Sequence, residues 1–142
     1  MWRHLAVAIF FCVLASGCDS RPDPERIQGE WQLSEMNGWF EFDLPTVKGG
    51  PTKIIFTDQQ FTFMNDAGPK QRVSGTFCCD QGKRPREITF RFADRSVAGI
   101  YSVSGSTLQL CFGKDDLVPP ATFGGGPGER PAFLVFHRPK PG

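Results

Sequence analysis

Apolar and polar residues alternate strictly in many short stretches of this chain, and glycine, proline and small polar residues separate the stretches. In STLQLCF, residues 106–112, Leu108, Leu110 and Phe112 fall on one side and Thr107, Gln109 and Cys111 on the other. In QFTFM, Phe61 and Phe63 share a side; in REITFRF, Ile88, Phe90 and Phe92 do. A period of two is what a β-strand with one buried face requires. The same reading predicts strands over 28–35, 52–57, 60–64, 71–79, 86–92, 97–103, 106–112 and 131–137, eight in all. No stretch after the first twenty residues shows a sustained helical period, although 38–50 leaves room for a short helical turn. With 16 glycines and 12 prolines punctuating short strands, the pattern is that of an all-β sandwich or barrel.

The connections favour the barrel. Ser104-Gly105 is expected as a two-residue turn, with the glycine free to take positive φ. Asp58-Gln59 separates TKIIFT from QFTFM, and residues 65–69 separate the third and fourth strands. Consecutive antiparallel hairpins make a meander. Eight strands close into an up-and-down barrel that is either filled by side chains or holds one small ligand. The candidate interior is Trp31, Phe56, Phe61, Phe63, Phe77, Phe90, Phe92, Leu108, Leu110 and Phe112, with Ile88, Ile100 and Val103. Ile100 and Val103 lie on opposite faces of a regular strand, so they cannot both point inward.

The first residues carry a different message. A basic start, MWRH, leads into the ten apolar residues Leu5 to Leu14, too few to span a bilayer as a helix, which takes about 20. That length fits a secretory signal. It ends in Ala15-Ser16-Gly17-Cys18, which resembles the bacterial lipobox. The resemblance implies cleavage between Gly17 and Cys18, with Cys18 lipidated. It places the chain at the cell envelope as a membrane-anchored lipoprotein facing the periplasm or exterior. The expected organisation is a signal at 1–17, a polar tether at 18–26, a barrel domain at 27–138 and a tail at 139–142. The signal holds one basic residue, Arg3, and no acid, so 15 basic and 15 acidic residues remain. A formally neutral chain argues against nucleic acid as a partner.

Three blocks resemble a known family. They are Gly29-Glu30-Trp31, a G-x-W at the first strand; GTFCCDQGKRPREITF from Gly75; and GIYSVSGSTLQLCFG from Gly99 to Gly113. Their order and spacing are similar to a small lipocalin-like domain family of planctomycete bacteria. The resemblance implies a lipocalin-like barrel with Trp31 closing its base, and it implies no catalytic residues.

Chemistry-bearing patterns are sparse. Cys78, Cys79 and Cys111 remain after Cys12 and Cys18 are accounted for. Cys79 shares a face with Phe77, whereas Cys78 and Cys111 point outward. Strands four and seven of a meander are not neighbours, so a Cys78–Cys111 bridge, needing Cα atoms within about 7 Å, is not expected. Free thiols are the simplest reading. No metal site is expected: His137 is the one histidine besides His4, and C-x-x-C spacing is missing. No cofactor is expected either. G-x-S-x-G is missing too, and Glu30, Glu41, Asp43, Asp94, Asp115 and Asp116 are scattered, so no enzyme is expected. Lys83-Arg84-Pro85-Arg86 is a solvated loop or a contact for phosphate headgroups beside a membrane. Residues 122–131 are a connector or a lid at the barrel mouth.

Two functions fit. One is a protein-interaction or scaffold module at the envelope, working through the loops at 38–50, 80–86 and 114–130. The other is a carrier of a small hydrophobic ligand inside the barrel. A filled interior favours the first and an open apolar cavity the second.

Overall fold

The computed structural model describes residues 21–37, 51–65, 71–113, 117–124 and 132–140. The expectations for 38–50, for the third-to-fourth strand turn, for Gly17 and Cys18 and for 125–131 lie outside the described residues. Eight strands follow one helical turn: α1 Asp23–Arg26, β1 Gly29–Asn37, β2 Lys53–Thr57, β3 Gln60–Asn65, β4 Gln71–Asp80, β5 Glu87–Arg91, β6 Ser96–Ser104, β7 Thr107–Phe112 and β8 Ala132–His137. Each strand pairs with the next, and β1 also pairs with β8, so the sheet is a closed, all-antiparallel up-and-down barrel.

The alternation becomes an inner and an outer face. In β7 the inward residues Leu108, Leu110 and Phe112 are buried, while Thr107 and Gln109 are half-exposed. Opposed phenylalanines come together across the hairpins: Phe56 pairs with Phe61 and Phe77 with Phe90. Burying a side chain of this size contributes roughly 1.5–3 kcal/mol, so the inward rings supply much of the driving force for closure.

Where the period of two breaks, the backbone explains it. The β1–β8 register shifts between Leu33 and Glu35, and the Ser34 hydroxyl donates to the Val135 carbonyl at 3.1 Å. This bulge resets the phase, so that Leu33 and Met36 both pack against the core. The turn after β6 is Gly105-Ser106 rather than Ser104-Gly105, because Ser104 is still paired with Thr107. Gly105 has φ of 56° and Asp58, in the β2–β3 turn, 54°. Two interior glycines serve a different purpose. A Cβ at Gly75 would collide with the Arg91 carbonyl oxygen, and one at Gly99 would meet the Phe112 ring at 2.7 Å. Their missing side chains let neighbouring rings lie across the strands.

Ile100 and Val103 are both buried, for different reasons. Val103 belongs to the interior with Val97 and Tyr101. Ile100 lies on the outer wall, where Pro119, Pro120 and Ala121 line a hollow with it. Cys111, its partner on β7, is covered as well; its thiol donates to the Phe123 carbonyl at 3.4 Å. The Phe123 ring packs edge-on to Phe133 of β8 at 6.3 Å. Residues 117–123 therefore run as a strap down the outside of β6–β8. The part of 122–131 that is described, residues 122–124, begins on this wall, not across the mouth.

Candidate functional site

The interior is an aromatic stack. Phe90 is its hub, with ring centroids at 4.7 Å from Phe61, 5.6 Å from Phe63 and Phe112 and 6.4 Å from Phe56. Phe77 meets Phe56 edge-on at 4.8 Å, and the half-buried Phe92 meets Phe61 at 5.3 Å. Trp31, Leu108 and Leu110 are fully buried in the same cluster. Centroid spacings of 4.5–7 Å are those of rings in mutual contact, so phenylalanines bridge the barrel from β2 and β3 to β5 and β7.

The base of the barrel is sealed by the segment before β1. The stretch expected as a free polar tether is docked from Asp23 onward. Pro24 near the start of α1 and acids in its first turn favour a helical turn there. Asp23 is 1% exposed and accepts three hydrogen bonds: from Arg26 at 3.0 Å, Arg86 at 2.8 Å and the Tyr101 hydroxyl at 2.6 Å. Ile27 enters the core, and the Trp31 indole N–H donates to its carbonyl at 2.8 Å. Gln28 pins the β2–β3 turn, donating to the Asp58 carbonyl at 2.8 Å and accepting from the Asp58 N–H at 2.7 Å. Arg138, just after β8, lies 3.8 Å over the Trp31 ring and donates to the carbonyls of Gln28 and Arg26 at 2.7 and 2.9 Å. A guanidinium on an indole face with both terminal nitrogens donating to carbonyls is a strong closure.

This polar cluster is chemically quiet. Burial pushes the Cys79 thiol up to about 12 and outweighs its hydrogen bond with Tyr101, which acts to lower it. Burial, and next the hydrogen bond to Asp23, raises the Tyr101 hydroxyl above its usual range. Both groups stay protonated at neutral pH, and a protonated thiol is a poor nucleophile. Cys78, Cys79 and Cys111 are thiols outside any disulfide, with Cys78 exposed, Cys79 half-buried and Cys111 buried. A maleimide at pH 7.5 is therefore expected to modify Cys78 at least tenfold faster than Cys79 or Cys111, read by peptide mass mapping. Equal rates at Cys78 and Cys79 would contradict this arrangement.

His137 is exposed on β8 with its ring nitrogen 3.2 Å from the Thr107 hydroxyl. Among the described residues no group of three His, Cys, Asp or Glu side chains is placed to hold a metal ion. Nor is any helix there long and apolar enough to cross a membrane.

On the outer wall, Lys83, Arg84, Pro85, Glu87, Ile100 and Pro119 to Ala121 line an open hollow of about 220 Å³. A second, of about 310 Å³, lies over Cys78, Asp80, Lys83, Glu87 and Thr89. Beside the first, Leu117 and Val118 are 72% and 60% exposed. Sequence reasoning singled out the loop cations but missed this apolar pair, and it missed Asp23, Tyr101 and Arg138. The one readable signal was PDPERI, a helix-start pattern followed by an isolated apolar residue.

Comparison with family models, curated proteins and solved structures finds no match to this chain.

Proposed function

We propose that this chain is a lipid-anchored, non-enzymatic module of the bacterial cell envelope, a lipocalin-like barrel that serves as a protein-interaction scaffold. The observation that carries the reading is the interior: phenylalanine rings hold the space where a carrier would place its ligand. A barrel so filled offers its loops and outer wall for recognition. The lipobox-like end of the first segment supports the anchor at Cys18, and the G-x-W entry with Trp31 at the base supports the family assignment.

Mass spectrometry of the chain recovered from its own envelope tests both parts. The intact mass is expected to begin at Cys18 and to exceed that of its residues by bound acyl groups, an excess that Cys18→Ser abolishes. A chain starting at another residue, with no added mass, would remove the anchor from the proposal. Native spectra before and after organic extraction test the scaffold. No small molecule is expected at near-stoichiometric amount beyond the covalent lipid. Release of one would make the barrel a carrier.

A further inference from the structure

The flank that joins the 81–86 loop to the strap at 117–121 combines three things a bilayer surface selects for. It has exposed cations, exposed apolar side chains and a place next to the anchor. Lys83 and Arg84 are both exposed at the tip of the β4–β5 loop. The Asp80 carboxylate holds that tip by accepting from the Gly82 N–H at 3.0 Å. Arg84 donates to the Gln81 and Lys83 carbonyls at 2.8 and 2.9 Å, which fixes its position in the loop. Pro85 and Pro119 line one hollow, so loop and strap face each other across it, and Leu117 and Val118 stand immediately before Pro119. They are the large hydrophobic side chains most exposed among the described residues.

The anchor leads to the same flank. Asp23 binds Arg86, the residue after Pro85, at 2.8 Å. Cys18 precedes Asp23 by five residues, which span at most about 18 Å when extended. A lipid on Cys18 therefore brings this side of the barrel to the membrane surface.

Resting on the anchored reading, we infer that Lys83, Arg84, Leu117 and Val118 form a second, non-covalent membrane contact specific for anionic lipid headgroups. The cations meet phosphates while the apolar pair enters the headgroup–acyl boundary. Glu87 on the rim of the hollow limits the local positive charge, so the contact is weak alone and acts by orienting a barrel that the lipid already holds.

Every strand is paired within Gly29–His137, so the chain from residue 19 onward keeps the barrel and removes both signal and lipid. It is mixed with vesicles of phosphatidylcholine alone or with phosphatidylglycerol, and sedimented. Binding is expected to the anionic vesicles and to fall by about tenfold or more in physiological salt. Leu117→Ser with Val118→Ser, and separately Lys83→Glu with Arg84→Glu, should each weaken it at least fivefold. Arg72→Glu, at the opposite end of β4, should not. No binding, equal binding to neutral vesicles, or binding that neither double variant weakens would overturn the inference. The lipid on Cys18 is read by mass in a separate preparation. The two failures are thus distinguishable.

Discussion

Phe90→Ala is expected to destabilise the barrel by about 4 kcal/mol, the usual scale for emptying a buried phenylalanine site. Phe90 touches rings on both sides of the barrel, Phe61 and Phe63 on β3, Phe56 on β2 and Phe112 on β7. The wall behind it is a closed sheet in which every strand has two neighbours, so the vacated volume has little means to collapse. Urea unfolding followed by tryptophan fluorescence reads the effect, and Phe90→Leu should recover most of the loss. The variant also bears on function. An apolar void of one phenyl ring stays dry and accepts small aromatic molecules. Benzene is therefore expected to stabilise Phe90→Ala and to leave the native chain unchanged. A loss below about 1.5 kcal/mol, or stabilisation of the native chain by benzene, would mean a loose interior. It would favour the carrier over the scaffold.

The second large effect lies at the base. Asp23→Ala removes the acceptor shared by Arg26, Arg86 and Tyr101. Breaking a buried charged pair from one side costs about 3–5 kcal/mol when the abandoned partner stays buried. Here Arg86 is 36% exposed and can turn to water, whereas Tyr101 is fully buried and retains its contact with Cys79. A loss of about 2–3 kcal/mol is therefore expected, measured as above. Asp23→Asn should lose less, because its amide oxygen still accepts from Tyr101. Limited trypsin digestion gives the local readout, since release of α1 exposes the bond after Arg26. A change under about 1 kcal/mol with no new cleavage would show that Ile27 and Arg138 hold the base without Asp23.

The contrast between Phe90 and Asp23 shows which features a sequence displays. Phe90 sits in a strict alternation, and a strand carries its burial pattern in its own residues. The eight strands were legible for that reason, and their order followed from the short turns between them. Asp23 lies in a proline-rich polar stretch whose composition says only that it is hydrophilic. Its burial comes from Arg86 and Tyr101, 63 and 78 residues away. Ile100 and Cys111 failed the alternation rule because a strap covers the outer wall, and a strap without periodicity writes no pattern into the strands beneath it. The β1 bulge was hidden for a similar reason: Ser34 interrupts the phase only because β8 lies opposite. As for the site, the cations of the 81–86 loop were visible as a charge run. Their neighbours Leu117 and Val118 became meaningful only once the strap was placed.

The seam between β1 and β8 also bears on how the molecule forms. Ser34 and Val135, bonded across it, are separated by 101 residues, whereas the other seven pairings join consecutive strands. Contacts this distant in sequence demand the greatest loss of chain entropy before they return any stabilisation. Hairpins therefore come first and the seam last. Until it zips, the meander is an open sheet with two unsatisfied edges, each able to pair with another chain. Trp31 on β1, Arg138 after β8 and the buried turn at Asp23 all lie where the segment entering β1 meets the residue leaving β8. They act as the clasp of the closing step, and weakening them lengthens the time the nascent sheet spends with its edges bare.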